Sequence, residues 1–194
     1  MSSEVLVLIL LIITFLNRSS LLPKNNNIQI SQPEKKTEVI QKSSFERIKN
    51  FILKKNKNLQ EEEAKILASL IIKYSEETKI DPKLLTSLIC KESRFNSKLI
   101  SSTGTIGLGQ LTPGTAKYLG VRDPFDPEEN IRGTAYYLRK MLDMYEGREN
   151  QLEFALLSYK LGPNAVKKSK LSDLLKNPSN YRYIETIKDY YQEI

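Results

Sequence analysis

Three dipeptides constrain the fold most: Asp81-Pro82, Thr112-Pro113 and Asp126-Pro127. In each, a side-chain oxygen able to cap a helix precedes a proline, whose missing N–H costs nothing at the first helical position. Pro178 opens a further helical segment, and Asn58 with Glu61 and Asn150 with Glu153 have the spacing of capping boxes. Between these starts, apolar residues recur at three- and four-residue intervals. Phe45, Ile48, Phe51 and Ile52 share one helical face, Ile66, Leu67, Leu70, Ile71 and Tyr74 another, and Ile131, Ala135, Leu138, Leu142 and Tyr145 a third. Strand-like alternation is nearly absent. The pattern predicts an all-α, compact multi-helix domain over residues 58–194.

The N-terminal third reads differently. Val5–Leu16 is an apolar run that holds a single polar residue, Thr14; it is short for a membrane span and suited to the apolar core of a secretory signal. No Lys or Arg precedes it and no Ala-x-Ala site follows, so residues 1–20 read as a signal peptide or a signal anchor. Residues 21–57 read as a basic polar linker with a short helix. The formal charge of +7 sits here: residues 1–60 hold 10 Lys and Arg against 4 Asp and Glu, whereas residues 61–194 hold 20 against 19. A nearly neutral domain argues against a nucleic-acid partner. The basic stretch suits an anionic membrane surface or wall polymer.

With no His and a single Cys, Cys90, the chain lacks the means for a Ser-His-Asp triad, a Cys-His pair or the usual zinc sites. No metal and no cofactor is expected. Any chemistry must run on carboxylates, hydroxyls, amides or lysine, and Cys90 has no base to activate it.

One carboxylate stands on the wrong face. On the helix opened by Pro82 the apolar stripe Leu84, Leu85, Leu88 and Ile89 continues onto Glu92. Partial burial and the negative end of the helix dipole would both raise the pKa of its carboxyl, as a general acid requires. Periodicity alone favours a plainer reading, a Glu turned to solvent at a fraying helix end or paired with Lys91 or Arg94. After Glu92 runs a loop rich in glycine, hydroxyls and one amide, from Ser101-Ser102-Thr103-Gly104 through Gly107-Leu108-Gly109-Gln110. Such groups suit an uncharged N-acetylated sugar, and more than a dozen residues without clear structure suggest a functional loop. Gln110 could equally satisfy loop backbone, and Tyr159, three after Leu156, could be a core tyrosine.

Four ordered stretches carry a resemblance. They are Glu92-Ser93-x-Phe95-Asn96; Ser101-x-x-Gly104-x-x-Gly107-Leu108-x-Gln110-Leu111-x-Pro113; Asn130-Ile131 with Gly133 and Tyr137-Leu138; and Ser158-Tyr159-Lys160-Leu161-Gly162-Pro163, followed by Tyr183-Ile184. Together, over about residues 65–190, they resemble the catalytic domain of the soluble lytic transglycosylase (SLT) family. The resemblance implies a lysozyme-like fold and cleavage of peptidoglycan between N-acetylmuramic acid and N-acetylglucosamine, leaving a 1,6-anhydromuramyl end. It implies Glu92 as catalytic acid and base, with Ser101, Gly107, Gln110, Tyr159 and Tyr183 along the glycan cleft. It implies a periplasmic or cell-envelope location, with membrane association through Val5–Leu16 or a secretion or conjugation apparatus as further partners. Two residues depart from the family pattern. Gly109 replaces a Met, which would widen the cleft, and Lys160 replaces an Asn, placing a cation where it could lower the pKa of a carboxylate or meet those of a muropeptide.

No Asp or Glu lies between Glu92 and Asp123. Asp123, Asp126, Glu128 and Glu129 cluster at a helix start, where capping accounts for them. A glycosidase ordinarily uses two carboxyl groups, so this spacing favours a single-carboxylate mechanism. The alternatives are a hydrolytic muramidase of the same fold and an inactive wall-binding subunit of a secretion apparatus.

Overall fold

The computed structural model describes residues 33–194, with side chains from Ser43 onward; Val5–Leu16 lies outside them. The chain divides into two compact units, Met1–Thr37 and Glu38–Ile194. Of the first, only residues 33–37 are described, and they are helical.

The described residues are helical apart from loops and isolated bridges. The helices are α1 (Pro33–Lys55), α2 (Glu61–Thr78), α3 (Pro82–Ser93), α4 (Pro113–Tyr118), α5 (Pro127–Met144), α6 (Gln151–Leu161), α7 (Pro163–Val166), α8 (Leu171–Leu175) and α9 (Pro178–Glu193). The three proline starts form as their residues dictate: Asp81 Oδ1 accepts from Lys83 N at 2.8 Å, Thr112 Oγ1 from Thr115 N at 3.0 Å, and Asp126 Oδ1 from Glu129 N at 2.8 Å. Asn177 caps α9 in the same way.

Other starts differ from the sequence expectation. α2 begins two residues later than the Asn58–Glu61 box, with Gln60 as cap and Glu63 Oε2 accepting from Gln60 N at 3.0 Å. Its buried stripe is therefore Ala64, Leu67, Ala68, Ile71 and Tyr74, and Ile66 is exposed. Asn150 stands before α6 but makes no side-chain cap, because its backbone is left-handed, at φ 59°.

The larger correction concerns α1. The sequence predicts a linker over residues 21–57 and a domain that starts at residue 58. Instead Ile48, Phe51 and Ile52 are buried in the core of the second unit, and Phe51 meets Phe95 edge-on with ring centroids 6.2 Å apart. The compact unit begins at Glu38. The charged residues of α1 hide this in the sequence, although its apolar face is legible. Ile52→Val is expected to cost about 1 kcal/mol in chemical denaturation, whereas an equivalent change in a linker would cost nothing.

Within this unit α5 packs against both α2 and α6, and α9 packs against α3 and α6. Ile131, Ala135, Leu138 and Met141 of α5 are fully buried at its centre. Because α9 lies on both α3 and α6, the C-terminal end of α3, the C-terminal half of α6 and the first turns of α9 converge.

Candidate active site

Glu92 sits at that convergence, one residue before the end of α3. Leu85, Leu88 and Ile89 on its stripe are fully buried, and Glu92 itself is half-buried. The stripe does end on the carboxylate. The plainer reading, a pairing with Lys91 or Arg94 in solvent, is not what forms: the Glu92 carboxylate accepts a short hydrogen bond from the Tyr183 hydroxyl of α9. Burial pushes the Glu92 carboxyl above the usual range, and the Tyr183 hydrogen bond, then Lys91 and Lys160, pull it partly back. Burial, followed by the Glu92 charge, holds the Tyr183 hydroxyl well above its ordinary value, so Tyr183 stays a donor. Among the described residues the charged side chains acting on Glu92 are these two lysines and no acid.

The acidic cluster at the start of α5 is occupied elsewhere. Asp126 caps the helix, Glu128 binds Lys73 and Tyr74, and Glu129 accepts from Arg122 N and Asp123 N. Cys90 is fully buried, and burial pushes its thiol up to about 12.

A cleft of about 310 Å³ opens between the Gly-rich loop, α4, α5 and α6, with Gln110, Thr115, Tyr137, Tyr159 and Lys160 among its walls. Glu92 is not a wall of this cleft. It is coupled to it through Tyr159 and Lys160, both of which feel its charge. Tyr159 is buried, packs on Tyr137 with centroids 5.2 Å apart, and donates to Gly109 O at 2.7 Å. It is thus both a core tyrosine and a cleft wall, and it ties the loop to α6.

The loop spends most of its polar groups on itself. Ser101 Oγ accepts from Thr105 N at 3.0 Å and contacts Thr105 Oγ1 at 2.7 Å. Thr105 Oγ1 donates to Gln110 Oε1 at 2.7 Å, and Gln110 Nε2 donates to Gly107 O at 2.8 Å. Gln110 reaches the cleft with a left-handed backbone, at φ 51°. Ser101 is not a wall of the cleft. Gly107 is buried, at φ 77°, and a Cβ there would stand 2.3 Å from both Asn130 Nδ2 and Pro124 O. The position needs glycine for the close approach of Asn130.

Asn130 is the residue whose role sequence reasoning missed. Fully buried on α5, its Oδ1 accepts from Gly109 N at 2.8 Å, and its Nδ2 donates to Pro124 O at 2.7 Å and Ile106 O at 3.2 Å. A polar side chain on the apolar face, one residue before Ile131, was the available signal.

The model of the transglycosylase SLT domain matches residues 69–181 of this chain. The chain belongs to that family. It is similar to membrane-bound lytic murein transglycosylase F of Photobacterium profundum, at 45% identity over 98 residues, 48% of this chain and 18% of that protein. It is also similar to a transglycosylase of Enterobacteria phage PRD1, at 42% identity over 85 residues, 44% of this chain and 31% of that protein. The chain therefore matches less than a third of the length of either relative. In fold it is similar to lytic transglycosylase Slt from Pseudomonas aeruginosa, with TM-score 0.55 and 20% identity, covering 63% of this chain and 23% of that one.

The two departures from the SLT pattern now have physical accounts. Gly109 does not widen the cleft: a Cβ there would lie 1.8 Å from Thr134 Oγ1, so the α5 side chain fills that space. Lys160 Nζ donates at 3.0 Å to each of Ser179 O, Ser179 Oγ and Asn180 Oδ1. Its three N–H bonds are thereby occupied, which leaves none for a muropeptide carboxylate.

Proposed function

We propose that this chain is a lytic transglycosylase that cleaves the N-acetylmuramic acid–N-acetylglucosamine bond of peptidoglycan and leaves a 1,6-anhydromuramyl end. The observation that carries this reading is Glu92: a half-buried carboxyl, raised by burial, hydrogen-bonded to Tyr183 and without an acidic partner among the described residues.

A raised pKa keeps a carboxyl protonated closer to neutrality, where it can act as an acid. Glu92 gives its proton to the glycosidic oxygen as the bond from that oxygen to C1 of the muramic acid breaks. The substrate's own N-acetyl group stabilises the electron-poor C1 that results. Glu92, now a carboxylate accepting from Tyr183, takes the proton of the 6-hydroxyl while O6 closes onto C1. The carboxyl is thereby regenerated, and the sequence of bonds needs no water and no second acid. Tyr159 and Gln110 shape the cleft wall beside this centre, and Ser101 and Gly107 hold the loop that presents Gln110.

The substrate places the activity in the cell envelope. Val5–Leu16 provides a route there as signal or anchor, in keeping with the membrane-bound relative from Photobacterium. Among the described residues no helix is long and apolar enough to cross a membrane. A secretion or conjugation apparatus, or a phage particle like that of the PRD1 relative, is a fitting setting for a small local wall-opener.

The test is release of soluble muropeptides from purified sacculi. Steady clearance is the expected result, and sacculi left intact would remove the enzymatic reading in favour of an inactive wall-binding subunit.

A further inference from the structure

Lys160 does more than depart from a family pattern. In the last turn of α6 it places a cation that lines the cleft and reaches across to α9. There it is held by the backbone and hydroxyl of Ser179 and by the amide of Asn180, which is itself buried and donates to Leu174 O at 3.0 Å. Three acceptors fix a side chain that would otherwise be among the most mobile. The fixed ammonium lies 5.2 Å from the Tyr183 ring centroid, and Lys91 of α3 lies 5.7 Å from the same centroid. The phenol that donates to Glu92 is thus flanked by two cations, one from each neighbouring helix.

The groups that face Glu92 are Lys91 of its own helix, Tyr159 and Lys160 of α6, and Tyr183 of α9. Burial of Glu92 favours its neutral form. Taken alone, this would make Glu92 a ready proton holder but a poor source of the carboxylate that the second half of the reaction needs. A cation at fixed distance acts in the opposite direction without quenching the site, because its N–H bonds are spent on α9 rather than on Glu92. The influence is mutual: burial and then Lys91 lower the Lys160 ammonium, while Glu92 raises it.

We propose that Lys160 is a positioning residue for this reaction: pinned to the start of α9, it holds its charge against Tyr183 and stabilises the ionised form of Glu92. This inference rests on the reading of Glu92 as acid and then base. In that reading activity falls at high pH as Glu92 loses its proton. Removing the Lys160 cation leaves the carboxylate less stabilised, so the loss must shift to higher pH.

The experiment is the pH profile of kcat/KM for muropeptide release by the full chain, its Lys160→Gln and Lys160→Arg variants, and Glu92→Gln. Lys160→Gln is expected to move the alkaline limb up by about 0.5–1 pH unit, and Lys160→Arg to leave it at the parent position. Lys160→Asn supplies a second neutral variant should Lys160→Gln fail to fold by circular dichroism. A neutral variant that loses activity equally at every pH, with its limb on the parent's, would overturn the proposal and leave Lys160 a structural strut. Glu92→Gln as active as the parent would instead overturn the reading beneath it.

Discussion

Glu92→Gln is expected to slow release of muropeptides from sacculi by about 10²–10⁴-fold, the range that a positioned general acid and base contributes. The substitution keeps the shape of the side chain and leaves an oxygen for the Tyr183 hydroxyl, so the geometry around α3 and α9 survives. What goes is the proton that the leaving oxygen needs and the carboxylate that later accepts one. The same variant is expected to be more heat-stable than the parent at neutral and alkaline pH. Burial raises the folded-state pKa of Glu92, so the folded chain holds this proton more tightly than the unfolded chain does. The stabilisation from that proton is complete below the unfolded pKa and is lost as pH rises through the folded one. A neutral amide never meets that loss. Melting temperatures of the two proteins should therefore converge in acid and separate as pH rises. An inactive variant that is also less stable at pH 8 would indicate that Glu92 is a structural group.

Asn130→Ala is expected to destabilise the fold by about 2–4 kcal/mol, because it leaves buried backbone groups without partners. Gly109 N loses its acceptor, and Pro124 O loses a donor held at 2.7 Å. The loss propagates to function through a short chain of contacts. Gly109 O is the acceptor for Tyr159, and Gln110 follows Gly109 with its left-handed backbone at the cleft. Urea denaturation reads the stability, and the KM for muropeptide release reads the loop. A destabilisation below about 1 kcal/mol would show that the loop keeps its shape without this clamp.

Much of this is legible in the sequence. The proline starts at Pro82, Pro113 and Pro127 and the stripes on α3 and α5 are local properties, decided by capping and by apolar spacing. So was the anomaly of Glu92, since a carboxylate on an apolar face can be counted from the sequence. The contribution of α1 was half visible: the face formed by Ile48, Phe51 and Ile52 was plain, but basic composition concealed that it belongs to the core. What the sequence withheld depends on distant residues meeting. Tyr183 lies 91 positions from the carboxylate it binds, and Lys160 finds its partners 19 and 20 positions away. The loop shows the same limit in reverse. Its hydroxyls and amide read as sugar ligands because their mutual hydrogen bonds, such as Thr105 to Gln110, require a fold the sequence does not display. Gly109 read as a gap because Thr134, which fills it, comes from another element.

The central claim is that a single carboxylate works twice and that the sugar's own hydroxyl replaces water. Mass spectrometry of the muropeptides released from purified sacculi tests it directly, because an anhydro end is lighter than a reducing end by one water. The account predicts anhydromuramyl ends from the parent chain and release at the level of an enzyme-free control from Glu92→Gln. Reducing ends from the parent, or equal release by the two proteins, would contradict it.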